Sequence, residues 1–400
     1  WTFDLVAGPF KGRTGGLAWD GSGMLCSLVL EERIVKFDPK TGKAENWRKY
    51  TGRTNGISVA SDGSVFGAQE GGRRIIHFCT DGSTAPTNDL VDGKHHNQPV
   101  DVFADSKGRV WIADPWNLQN PYGPSIYPFL DHASVLKLER DERKAWKLKR
   151  MTTDTIGPRA VLLSADEKTL YVADGDMEIE KSRSKGASTL RAYPVNADGS
   201  LGKVNVLHTF AAGERGIEGM CLDSAGNIVA CTGWKKNGAG PMITVFSAGG
   251  AIIESVPAPA DLPMRCAFGD DGLGSLYVTT GEGHLYRCSN SGRKGAKRGS
   301  PKAAARALAR TSSASGRRAI SLADRNADYK RSCGMRQGIL EPPRKPLISG
   351  VPGVCAPARY PRRRRPARSV RDRSRAGSRV PAPAGCRGAT PRGRARRRSA

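Results

Sequence analysis

Six times along this chain a short strand, a tight turn and a second apolar strand recur in the same order. No other feature limits the available folds as strongly. The segments are GGLAWDGSGMLCSL from Gly15, NGISVASDGSVFGAQ from Asn55, VDVFADSKGRVWIAD from Val100, RAVLLSADEKTLYVAD from Arg159, EGMCLDSAGNIVACT from Glu218 and RCAFGDDGLGSLYVTT from Arg265. Their turns carry Asp-Gly, Lys-Gly or Ala-Gly, because hairpin turns need residues that tolerate positive φ. The fourth and sixth repeats hold one extra turn residue. The starts lie 40, 45, 59, 59 and 47 residues apart, which is room for four strands per unit, the size of a propeller blade. Third strands fit between the hairpins at 33–37, 74–78, 134–138, 189–193, 243–246 and 285–287. No segment shows sustained helical periodicity. The expected fold is therefore all-β, a six-bladed β-propeller over residues 1–292. Phe3-Asp4-Leu5-Val6 would complete the last blade, because an open sheet edge invites aggregation.

Charge divides the chain in two. The formal net charge is +26, yet residues 293–400 hold 31 Lys and Arg against 4 Asp and Glu, leaving residues 1–292 at a net −1. The propeller thus has no electrostatic reason to bind nucleic acid. The Arg-, Pro- and Ala-rich C-terminal tail, with runs such as Arg362–Arg365, lacks the apolar patterning that could offset ordering entropy. It is expected to be disordered, a solvated extension or a gene-model artefact, able to bind polyanions only non-specifically. No run of about 18 apolar residues occurs, so no membrane span is expected. No secretory signal is visible, which points to the cytoplasm, although the chain opens at Trp1 and not Met.

Six cysteines fall in the propeller (Cys26, Cys79, Cys221, Cys231, Cys266 and Cys288), and none forms a CxxC pair. They read as buried thiols in strands, with Cys221 and Cys231 placed so that they could face each other across a hairpin. Asp20, Asp38, Asp62 and Asp223 sit in turns, where Asp caps backbone amides. Two inserts interrupt the repeats, the aromatic 116–132 and the charged 176–185, and loops of this kind carry function on rigid scaffolds. His95, His96 and His132 border these regions. His132 is a candidate base or substrate contact because imidazole titrates near neutrality.

The repeat set resembles the gluconolactonase, regucalcin and luciferin-regenerating-enzyme family of six-bladed propellers. The matching pieces are Arg53-Thr54-Asn55-Gly56, Gly71-Gly72-Arg73-Arg74, Asn97-Gln98-Pro99-Val100-Asp101, the stretch Leu163 to Asp174, and Ala267-Phe268-Gly269 ahead of Leu276-Tyr277-Val278-Thr279. The resemblance implies hydrolysis of a small-molecule lactone, sugar lactones among them. A divalent ion, calcium or zinc, would polarise the carbonyl in the central channel, beside a carboxylate that activates water.

The departures fall on the site itself. The resemblance implies ligands at the first residue of particular repeats, which here are Gly15, Asn55, Val100, Arg159, Glu218 and Arg265. A ligand glutamate is replaced by Gly15, a ligand asparagine by Arg159, and a ligand aspartate by Glu218. In one register these six residues would encircle one end of the channel. The expected catalytic residues are Glu218, Arg159 and Asp101, and the expected substrate contacts are Asn55, Arg265, Asn97 and His132. Arg159 would take the electrostatic role of the metal and pair with Glu218. A retained metal would instead be held by Glu218 and Asn55 with Asp101 and carbonyls or waters. The alternative from another class is a non-catalytic propeller that binds a small anionic ligand or a protein partner, with an Arg–Glu pair plugging its channel.

Overall fold

A computed structural model describes residues 1–116, 128–175 and 186–297. The aromatic insert from 117 to 127, the charged insert 176–185 and the tail from 298 onward lie outside the described residues. The chain builds six four-stranded antiparallel sheets, and in the first five the strands lie side by side in sequence order. Their innermost strands are Thr14–Trp19, Thr54–Val59, Asp101–Ala104, Pro158–Leu163, Ile217–Leu222 and Pro263–Gly269. The last sheet takes its outermost strand from the other end of the chain, where Asp4–Ala7 pairs antiparallel with Leu285–Cys288. The closing strand is thus the one expected from sequence, and it removes the edge that a linear array would leave.

Polarity decides which strand goes where. Second strands such as Met24–Leu28, Val110–Asp114 and Ser275–Thr280 are buried along their whole length. The fourth strand of the first blade, Lys43–Lys49 (KAENWRK), has no buried residue and faces water. A blade therefore runs from buried in its second strand to exposed at the rim. Trp111 is fully buried between blades, which stabilises the fold by roughly 2–3 kcal/mol, and its ring N–H donates to the Asp105 carboxylate at 3.1 Å. The turn aspartates behave as their chemistry dictates: Asp20, Asp38, Asp62 and Asp223 each accept hydrogen bonds from backbone amides within their own turns.

Around the channel the innermost strands approach closely. A Cβ on Gly56 would lie 2.5 Å from the Asp101 Cα, and one on Gly219 would lie 2.5 Å from the Met264 carbonyl. Glycine at these two places is a packing requirement between neighbouring blades. In blades four, five and six the pairing register slips by one residue just inside the start of the innermost strand. The slips fall between Pro158 and Ala160, Ile217 and Gly219, and Pro263 and Arg265. The bulged residues are Arg159, Glu218 and Met264, and a bulge re-aims the side chain it carries. The propeller also reaches past the expected boundary at 292. Arg293 pairs with Asp223 and Glu254, and the Gly295 and Ala296 amides donate to blades six and five.

Candidate active site in the channel mouth

Arg159 and Glu218, the bulged residues of blades four and five, meet at the end of the channel where the innermost strands begin. Arg159 Nη1 donates to Glu218 Oε1, and both side chains are almost fully buried. Arg159 Nε donates to the Gly175 carbonyl at 3.1 Å, which fixes the guanidinium from the residue just after the second strand of its own blade. A second guanidinium reaches the same carboxylate, with Arg215 Nη2 2.6 Å from Glu218 Oε1. Arg215 also lies over the Trp234 ring, 5.0 Å from its centroid. Both arginines take the same oxygen, and Glu218 Oε2 accepts no hydrogen bond from the described residues. Burial opposes the ionisation of Glu218, but the surrounding charges of Arg159, Arg215, Arg265 and Arg13 outweigh it. They hold the carboxyl below its ordinary 4.5.

The expected row of six first residues is met in part. Gly15 and Asn55 sit side by side: a Cβ on Gly15 would lie 3.0 Å from Asn55 Oδ1 and 2.5 Å from Ser27 Oγ. Asn55 is buried and donates from Nδ2 to Glu70 Oε2 at 3.3 Å. Arg265 is one layer deeper than its place in the repeat alignment. In the sixth hairpin Phe268 pairs with Leu276, whereas in the fifth Leu222 pairs with Ile228. The extra turn residues around Asp271–Leu273 shift the strand, so Met264 takes the bulge and Arg265 the paired position behind it. There Arg265 Nη2 donates to the Val100 carbonyl at 3.0 Å and to the Arg159 carbonyl at 3.4 Å. Its Nε lies 3.8 Å from Asp101 Oδ1. Asp101 in turn accepts from the Val161 amide at 3.1 Å. Together Asp101 and Arg265 tie blades three, four and six across the channel.

Asn97 and His132 belong to a loop network. Asn97 is fully buried. Its Nδ2 donates to the carbonyls of Asp114 (3.3 Å) and His132 (2.8 Å), and its Oδ1 accepts from the Leu130 amide. Every polar atom of its amide is spent on backbone. His132 Nδ1 lies 2.9 Å from Ser134 Oγ, and burial, helped by Arg150, lowers its pKa from the ordinary imidazole value. Cys221 and Cys231 do not face each other, since their cross-strand partners are Val229 and Gly219. Cys221 Sγ instead lies 3.6 Å from Cys266 Sγ in the next blade.

Sequence reading missed Arg215 and a second buried carboxylate, Glu70. Glu70 binds Arg53 Nη2 through Oε1 and Arg13 Nη2 through Oε2, each at 2.7 Å. The signal for it is a repeated acid at the end of the second strand: Gln69-Glu70, Ala113-Asp114, Ala173-Asp174. Asp114 and Asp174 both accept backbone amides there, from Asn97 and Gly157. Arg215 carried no such signal, because it stands in the Gly213-to-Gly216 turn outside any repeat.

The profile of the SMP-30/Gluconolactonase/LRE-like region matches residues 14–282, and the chain belongs to this family. The gluconolactonase of Zymomonas mobilis is 26% identical over 241 residues, covering 56% of this chain and 60% of that protein's length. A solved gluconolactonase from Xanthomonas campestris superposes with a TM-score of 0.60 at 24% identity, covering 71% of this chain and 88% of that one. A regucalcin from Agrobacterium tumefaciens, described as a calcium-binding protein, superposes at 0.56 with 15% identity, covering 74% and 95%.

The residues of this chain do not fit a divalent cation at that place. Position 15 offers no ligand, and the space a side chain would need there is taken by Ser27 and Asn55. Position 159 brings a positive charge to the carboxylate that would bind the ion, and like charges at that range repel, the more so where both side chains are buried. No group of three or more His, Cys, Asp or Glu side chains able to hold a metal ion is found among the described residues.

Proposed function

We propose that this protein is a lactone hydrolase in which guanidinium groups do the work that a metal ion does elsewhere. The observation that carries this reading is the Arg159–Glu218–Arg215 cluster. It places a carboxylate, one oxygen of which accepts nothing from the described residues, beside two positive donors at the channel mouth of a gluconolactonase-like propeller. A lactone carbonyl placed against Arg159 and Arg215 is polarised by them, and its developing oxyanion is stabilised by hydrogen bonds strongest in a water-poor site. Glu218 Oε2 orients a water molecule for attack on the carbonyl carbon and takes its proton. The tetrahedral intermediate collapses with loss of the ring C–O bond. The proton passes from Glu218 to the departing alkoxide, and the product is the open hydroxy acid. Lactone and water are consumed in equal amounts, with no other reactant.

A carboxylate held below its ordinary pKa is a weak base. The arrangement therefore rests on the electrophilic side, and Glu218 mainly positions the water. Asp101 and Arg265 set the floor beneath the cluster, and Asn55 fixes its blade-two side through Glu70.

The test is a pH-stat assay of the full chain on a panel of aldonolactones, before and after chelation. Turnover that survives the chelator supports guanidinium catalysis. Turnover abolished by chelation and restored by calcium or zinc sinks it. No turnover of any lactone would return the protein to the class of binding propellers.

A further inference from the structure

Beyond the layer formed by Asp101 and Arg265 the channel continues as a cavity. Its wall includes Ile57, Val102, Val161, Met220, Cys221 and Cys266. Two of these side chains carry chemistry that the lactone reading does not use. Cys221 stands on the innermost strand of blade five and Cys266 on that of blade six, and their sulfurs are 3.6 Å apart. Cys266 Sγ also donates to the Val229 carbonyl at 3.3 Å. Val229 is the cross-strand partner of Cys221. Cys266 is therefore seated on the rung of blade five that holds the other thiol.

Separation and access both favour a bond between them. A disulfide holds its sulfurs at about 2.05 Å, so the pair has about 1.5 Å to close. The two strands are already near one another closer to the mouth, where a Cβ on Gly219 would lie 3.0 Å from the Arg265 Cα. Cys221 is partly exposed where it lines the cavity, whereas Cys266 behind it is buried. Cys231, a third thiol packed in the same cluster, is fully buried. Burial pushes that thiol well above its ordinary pKa and keeps it protonated. An oxidant in the channel thus meets Cys221 first.

We infer that Cys221 and Cys266 are a peroxide-sensitive thiol pair that closes to a disulfide and joins the innermost strands of blades five and six. Cys221 Sγ attacks one oxygen of the peroxide, the O–O bond breaks, and the thiol proton leaves with the departing hydroxide as water. Cys266 Sγ then attacks the resulting sulfenic sulfur. Its proton joins the leaving hydroxyl, and a second water departs as the S–S bond forms. Two thiols lose two electrons, and one peroxide is reduced to two waters. Glu218 lies three residues before Cys221, and Arg265 directly before Cys266. The bond therefore ties together the strands that carry both parts of the site, whatever reaction that site performs.

The full chain is reduced, desalted, treated with hydrogen peroxide and blocked with N-ethylmaleimide in urea, then digested with trypsin without reductant. The expected product joins the peptides that begin at Gly216 and Cys266, and dithiothreitol separates them. The first peptide also holds Cys231, so fragment ions should place the bond on Cys221 and the maleimide on Cys231. The bond should persist in Cys231→Ala. The oxidised protein should unfold at a urea midpoint about 1 M higher than the same sample after dithiothreitol, a comparison that cancels any methionine oxidation. A bond on Cys231 or to a cysteine of the tail overturns the inference. So does the absence of a bond, whether Cys221 stays reduced or goes on to the sulfinic acid, and so does a midpoint that dithiothreitol leaves unchanged.

Discussion

Two buried glutamates in this propeller are each held between two arginines, and they are built for different ends. Glu70 gives one oxygen to Arg53 and the other to Arg13 and Asn55. Its hydrogen-bonding capacity is used, and it sits at the end of a second strand, where acids in two other blades also hold loops. Glu218 gives one oxygen to both Arg159 and Arg215, and among the described residues nothing donates to the other. It rides on a bulge in the innermost strand. The same three-residue chemistry therefore serves as a fastening in blade two and as a candidate reaction centre between blades four and five. What separates them is the number of carboxylate oxygens left over.

The largest expected effects are on stability, and they should be alike at the two sites. Glu70→Ala and Glu218→Ala each strand two arginines, and each should lower the unfolding free energy by about 3–5 kcal/mol, measured by urea titration. A much smaller loss at Glu218 would mean that its arginines are better hydrated than their burial indicates. The isosteric changes should then split the pair. Glu218→Gln should cut kcat by about 100-fold, whereas the loss in Glu70→Gln should appear in stability more than in kcat. Equal kcat losses in the two variants would break the comparison.

A smaller effect follows from ionisation. The pKa of Glu218 in the folded protein lies below 4.5. Its contribution to stability is therefore fully present above about pH 4.5 and is lost as pH falls through the lower folded-state value. The gap in unfolding free energy between wild type and Glu218→Gln should be constant from pH 7 to 5 and should shrink in more acid solution. A gap that already varies between pH 6 and 7 would show that Glu218 is not held by its arginines. The same depressed pKa predicts a rate with no inflection from Glu218 between pH 6 and 8. The smallest expected change is that caused by a chelator, which should leave kcat within about twofold if no metal-assisted step is lost. Arg159→Asn sharpens that point, since it removes the charge that repels a cation: metal binding unchanged from wild type would contradict the role given to Arg159.

Much of this was legible in the chain. The recurrence of strand, turn and strand, with turn residues that permit positive φ, determined six blades, their strand order and the closing role of the N-terminal strand, because alternation and turn chemistry are local properties. The turn aspartates were legible for the same reason. The meeting of Arg159 and Glu218 followed from register alone, since both stand at the same step of neighbouring repeats.

The tertiary structure decided what depends on distances between repeats. The longer sixth hairpin moved Arg265 one layer inward and set Met264 in its place, a one-residue slip that re-aims a side chain. Asn97, equally polar on paper, lost its amide to loop backbone. Arg215 and Arg13 entered the site from turns that no repeat marks, because only the closed propeller brings opposite blades together around one channel. The oxygen left on Glu218 among the described residues is a product of that closed arrangement, which no single stretch of sequence contains.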